Sequence, residues 1–170
     1  MASSVTATLI AVLGRRSELP MIGNETTADE GEETMTEIQC PCGTVRVQLT
    51  GEPRAQFFCH CDDCQKVHGA AYIPVAMYPA DAVKITSGAP STWKLRTTAR
   101  ITCRECGTRV FAEVGQIGVR GVNGFLLPKG SFQPTFHMQC QHAVRPIKDD
   151  LPHFKAFPAK FGGSDVTVDW

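Results

Sequence analysis

Three cysteines fall within six residues in the stretch Phe58-Cys59-His60-Cys61-Asp62-Asp63-Cys64. Thiolates crowded this closely repel one another unless a cation holds them, and zinc is the divalent ion that sulfur donors select. Four protein ligands close a structural zinc site; three ligands with an exchangeable fourth position make a catalytic one. An open zinc can take up a thiol and lower its pKa, or polarise a carbonyl as a Lewis acid. A closed site would borrow a histidine. His68, or a histidine distant in sequence, suits that role better than His60, which lies between two ligands and would have to bend back. Spacing alone leaves the open site and the closed site both standing.

Two further pairs have ligand spacing. Cys103-Arg104-Glu105-Cys106-Gly107 has the knuckle pattern of zinc ribbons, in which the glycine lets backbone N–H groups turn towards sulfur. Cys40-Pro41-Cys42-Gly43 ends in the same way. Each knuckle supplies two ligands, so Cys40, Cys42, Cys103 and Cys106 are expected to form one closed, four-cysteine zinc site clamping the start of the body to its middle. A redox role for Cys103 and Cys106 would need a βαβ context that the surrounding sequence lacks. His137 and Cys140 are also three residues apart, but on a strand such positions face opposite ways. Cys140 is therefore read as a buried apolar residue, and His137 as a minor candidate for reaching the active cleft. Asp149 and Asp150 are read as solvated turn residues, Asp62 and Asp63 as facing solvent or a basic neighbour, and Phe57, Phe58 and Trp93 as core.

Composition narrows the class. The 170 residues carry 17 basic and 17 acidic side chains, so no bulk charge draws the chain to nucleic acid or anionic lipid. A hydrophobic fraction of 42% with 20% charged residues is that of a water-soluble globule with a real core. Eight bunched cysteines without a secretory signal argue for metal in a reducing compartment over a disulfide scaffold, and hence for a cytoplasmic protein. Residues 1–34 differ from the rest. A short apolar run, Thr8 to Leu13, is followed by Arg15 and Arg16, the reverse of a secretory leader, and an acidic polar stretch follows. We expect a disordered leader over 1–34 and a zinc-binding β domain over 35–170.

The elements that must position these cysteines read as strands. Alternation or β-rich runs predict strands over 44–49, 56–59, 71–78, 83–86, 91–97, 100–103, 109–114, 117–122 and 135–140. Pro74 inside one run predicts an edge or bulge there. No stretch has sustained helical periodicity; Leu151 to Phe157 has room for one turn. The expected fold class is mainly β, with antiparallel sheets and short connections.

Cys40-x-Cys42-Gly43, Cys59-His60-Cys61-x-x-Cys64 and Cys103-x-x-Cys106-Gly107, in this order, resemble the glutathione-dependent formaldehyde-activating family, as does Leu151-Pro152-His153-Phe154. The resemblance spans residues 35 to about 165. It implies a β-tent fold stapled by a structural zinc on Cys40, Cys42, Cys103 and Cys106, and a catalytic zinc on Cys59, Cys61 and Cys64. It also implies a carbon–sulfur lyase activity: addition of glutathione to formaldehyde, giving S-hydroxymethylglutathione. His60 and His68 are the nearest histidines for the proton. The competing expectations are a non-catalytic zinc-stabilised β module that binds a protein partner, and the same zinc chemistry on another thiol or aldehyde.

Overall fold

The computed structural model describes residues 34–170. The expected leader, residues 1–34, lies outside them except for its last position. The chain is mainly β. Its strands are β1 (Met35–Gln39), β2 (Arg46–Thr50), β3 (Ala55–Cys59), β4 (Ile73–Pro79), β5 (Val83–Ser87), β6 (Ser91–Leu95), β7 (Thr98–Thr102), β8 (Arg109–Val114), β9 (Val119–Asn123) and β10 (His137–Met138). An antiparallel sheet of three strands runs β1-β2-β5, and a seven-stranded sheet runs β10-β3-β4-β9-β8-β7-β6. Every pairing is antiparallel except that of β10 with β3. Among the described residues no helix is long and apolar enough to cross a membrane.

The pleat of the large sheet gives it two different faces, because side chains alternate along each strand. One face carries Ala76 and Tyr78 of β4, Ile101 of β7, Val110 of β8 and Val122 of β9. These pack with Ile38, Val47, Leu49 and Val83 of the smaller sheet into the main core. The opposite set includes Phe57 and Cys59 of β3, Ile73, Val75 and Met77 of β4, and Arg100 of β7, which line a cavity of about 260 Å³.

Most expected strands are present with ends shifted by a few residues, but three expectations need correction. Pro74 lies on an interior strand, not at an edge or bulge, since β4 sits between β3 and β9. Phe58 is opposite Pro74 and sends its own N–H to Phe136 on the other side, 3.1 Å away. The missing Pro74 N–H therefore faces the β9 side, where pairing begins only at Val75 with Asn123. No ladder bond is lost. A helix, α1 (Asp62–His68), forms inside the cysteine cluster, where none was expected. Its seven residues are too few to display a period. Cys61 caps its start, with Sγ accepting from the Cys64 N–H at 3.4 Å, and Gly69 ends it at φ 62°. Finally, Leu151 to Phe157 holds no helical turn: His153 bridges to His137 and Phe154 to Thr167 in extended conformation.

Candidate metal sites and active cavity

The two knuckles meet beyond the ends of β1 and β7. Cys40, Cys42, Cys103 and Cys106 bring their sulfurs within 4.8 Å of one another. Cys40 Sγ is 3.4 Å from Cys42 Sγ, which is 3.6 Å from Cys103 Sγ. Four thiolates on a zinc ion with bonds of about 2.3 Å would lie about 3.8 Å apart, so the sulfurs have the dimensions of a metal site. The two halves repeat one device. The Gly43 N–H donates to the Cys40 carbonyl (2.8 Å) and the Gly107 N–H to the Cys103 carbonyl (3.0 Å). Cys42 and Cys106 each place sulfur 3.2 Å from the hydroxyl of the threonine two residues on, Thr44 and Thr108. The hydroxyl and N–H of Thr108 lower Cys106 to about 6, so it ionises readily.

Gly43 and Gly107 hold φ values of 75° and 71°, which L side chains adopt only with strain. Space is open beside Gly107. Gly107→Ala is therefore expected to cost about 1–2 kcal/mol through backbone strain alone. Chemical denaturation of the metal-loaded chain would check this, and an unchanged midpoint would contradict it.

Cys59 ends β3, Cys61 caps α1, and Cys64 sits in its first turn. Their sulfurs also cluster within 4.8 Å, and among the described residues no histidine, aspartate or glutamate joins that group. Cys59 and Cys64 are buried and Cys61 is half-buried. Cys61 ionises most readily of the three. Hydrogen bonds from Cys59 and then Cys64 lower it to about 2, while Cys61 and Cys64 together push the Cys59 thiol well up. Three sulfurs clustered in this way make a ligand set for a soft cation.

The three sulfurs open onto the cavity, whose walls are largely apolar: Phe57, Ile73, Val75, Met77 and Met138. Two arginines interrupt them. Arg109 is tied down, its Nε donating to the Val67 carbonyl (3.0 Å) and its guanidinium lying 5.1 Å over the Trp93 ring. Arg100 is 7% exposed, and its Nε finds no hydrogen-bond partner among the described residues. Sequence reasoning did not single out Arg100, which lies three residues before Cys103 but on the cavity face of β7. The period-2 alternation from buried Ile101 carried the only signal. His68 lines the cavity without joining the sulfurs. Burial, then Arg109 and Arg100, lowers it to about 4, so its ring is neutral.

His60 and His137 do not line this cavity, and His137 does not reach the cleft as expected. Both are buried, with His60 Nε2 2.9 Å from His137 Nδ1. Burial, then His137 and His153, lowers His60 to about 4. Asp149, expected to be solvated, instead approaches two histidines: its Oδ2 lies 2.9 Å from His137 Nε2 and its Oδ1 3.3 Å from His153 Nε2. Burial opposes the charge on Asp149, but the Leu151 N–H and His137 hold its carboxyl below the ordinary value. Asp63 meets a basic neighbour as expected, Arg96 at 3.6 Å, and Cys140 is buried. All eight cysteines are free, so no disulfide scaffold forms.

Comparison with known proteins places these features. The family described as "Glutathione-dependent formaldehyde-activating enzyme" matches residues 35–142, which contain all seven clustered cysteines. A Penicillium rubens protein called "Putative glutathione-dependent formaldehyde-activating enzyme" is 29% identical over 100 residues, covering 56% of this chain and 52% of the relative. One of the same description from Aspergillus flavus is 30% identical over 78 residues, covering 44% and 41%. The chain thus spans about half the length of the curated relatives it matches. A crystal structure of a Rhodobacter sphaeroides protein superposes with TM-score 0.47 at 20% identity, over 55% of this chain and 89% of that one.

Proposed function

This chain belongs to the glutathione-dependent formaldehyde-activating enzyme family, and on that premise we propose that it is a zinc-dependent carbon–sulfur lyase. It joins glutathione, or a similar thiol, to formaldehyde. The reaction forms one C–S bond and moves one proton from sulfur to oxygen, giving S-hydroxymethylglutathione. Cys59, Cys61 and Cys64 would hold the catalytic zinc; Cys40, Cys42, Cys103 and Cys106 would hold a structural one. Eight free thiols suit a reducing compartment such as the cytoplasm.

One observation carries this reading. Among the described residues the three-cysteine group has no fourth protein ligand in reach, and it faces a cavity that contains a buried arginine whose Nε has no hydrogen-bond partner there. A metal held there would supply the charge that keeps a thiol ionised at neutral pH. The chain's own side chains do the rest. Arg100 places positive charge where the substrate's sulfur or carboxylate brings negative charge, in apolar surroundings that strengthen the attraction. Phe57, Val75 and Met77 keep bulk water from competing for the aldehyde. Neutral His68 stands at the same wall, able to take the proton from the thiol and pass it to the new alkoxide oxygen.

Arg100 also provides the test. A buried charge without a partner costs stability, so it is retained for what it binds. Replacing it with methionine keeps volume and removes charge. In Arg100→Met the thermal midpoint should hold or rise, zinc content should stay the same, and KM for glutathione should increase about tenfold or more (about 1.4 kcal/mol). Hemithioacetal formation, followed by NMR with labelled formaldehyde, reports this. If the wild-type chain leaves the solution rate of addition unchanged, the enzyme reading falls and a zinc-stabilised binding module takes its place.

A further inference from the structure

We propose that His137, Asp149 and His153 form a further metal site, separate from both cysteine sites, that takes a divalent first-row transition ion on two imidazoles and one carboxylate. Asp149 and His153 lie beyond residue 142, where the family match ends.

The ligands come together through the extended segment that follows β10. The His137 N–H donates to the Pro152 carbonyl (2.9 Å) and the Phe154 N–H to the His137 carbonyl (3.0 Å), which aligns His153 beside His137 in a parallel bridge. The two rings stack at 4.6 Å and 30°, so both Nε2 atoms point towards one carboxylate. Asp149 is turned inward to meet them, its Oδ1 also accepting from the Leu151 N–H at 3.0 Å.

A hydrogen-bonded network accounts for only part of this arrangement. His137 Nε2 and Asp149 Oδ2, 2.9 Å apart, are satisfied by a hydrogen bond. His153 Nε2 is buried and has no hydrogen-bond partner among the described residues, although Asp149 Oδ1 is 3.3 Å away. Leaving a buried ring nitrogen unpaired is costly, and a shared ion would satisfy it. Metal–nitrogen and metal–oxygen bonds of about 2.0–2.2 Å set neighbouring donors about 2.9 to 3.4 Å apart. The two observed separations, 2.9 and 3.3 Å, match those edges. The outer contacts agree as well. His60 Nε2 meets the remaining nitrogen of His137 at 2.9 Å, the second hydrogen bond that orients a metal-bound imidazole. Trp170 packs its ring 4.6 Å from that of His153. The Asp149 side chain is 35% exposed, which leaves a path for the ion and room for water on its open positions. Mixed nitrogen and oxygen donors select against the soft preferences of the all-sulfur sites.

The test is a Co2+ titration of the full chain with its cysteine sites loaded with zinc, which cobalt does not displace. One further equivalent should bind, giving weak visible d–d bands without the intense near-ultraviolet sulfur-to-cobalt charge transfer. Asp149→Asn and His153→Gln should each weaken that binding at least about 100-fold, while Cys61→Ser should leave it intact. Because Asp149 also caps its own turn, the wild-type chain provides an independent measurement. With 15N-labelled histidine, Co2+ should shift or broaden the imidazole signals of His137 and His153 strongly and that of His68 little. No additional equivalent, a charge-transfer band with the added cobalt, or unperturbed His137 and His153 signals would each overturn the site. None of these outcomes bears on thiol addition at the cysteine cavity.

Discussion

Cys61→Ser is expected to cut the zinc content from two ions per chain to one and to abolish thiol–aldehyde addition, while the chain stays folded. The position separates chemistry from architecture. Cys61 is half-exposed and serves the backbone only as the cap of α1, accepting the Cys64 N–H. Serine is among the best residues for that task, so the helix should start as before. What serine cannot do is remain an anionic sulfur ligand. With only Cys59 and Cys64 left, the site falls below the three ligands that a catalytic zinc needs. Losing an outer-shell partner alone costs such sites about 10- to 100-fold in affinity or activity, so loss of a ligand should exceed the upper end of that range. Metal analysis, circular dichroism and the addition assay together decide. Retention of both zincs would show that His68 or water closes the site adequately; unfolding would show that this zinc is structural.

Cys103→Ser should have the opposite profile. Cys103 is 1% exposed and packs in the main core with Cys40, Ile101 and Val110. Its sulfur ties β7 to the loop after β1, two segments about sixty residues apart in sequence. A structural zinc contributes on the order of 10 kcal/mol of apparent binding free energy, comparable with the whole net stability of about 5–15 kcal/mol of a domain. A buried serine hydroxyl without an acceptor adds about 1–3 kcal/mol of cost. The variant is expected to lose cooperative unfolding and near-ultraviolet dichroism. Full-length protein with an unshifted melting midpoint and only activity lost would reverse the proposed roles of the two cysteine groups.

The contrast between these variants follows from where each group sits, and that was only partly legible beforehand. The grouping of the cysteines follows from spacing, because knuckles are local: Cys40 to Gly43 and Cys103 to Gly107 bend the chain within a few residues. Most strands were also visible, since alternation is a local record of burial. Helix α1 was not, because its seven residues make too little of a period and its cap is a cysteine that reads first as a ligand. Pro74 looked like an edge marker because the residue type cannot reveal that its absent N–H falls where the β9 ladder has not yet begun. Arg100 looked like one more basic residue. Its importance comes from lying on β7 between Trp93 and Ala112 and facing the cavity of the three cysteines.

By itself the sequence determined the mainly β class and the local cysteine groups Cys40/Cys42, Cys59/Cys61/Cys64 and Cys103/Cys106, since each depends on residues near one another in the chain. The tertiary structure alone decided that the two clusters serve opposite faces of one sheet, Cys103 on the core side and Cys59 on the cavity side. It alone turned Asp149 from a turn residue into the partner of His137 and His153. The reason is physical: a parallel bridge between β10 and the later segment, like the burial of a charge against a distant strand, is a non-local contact. Such contacts form only when the whole sheet has closed, and no period or spacing along the chain records them in advance.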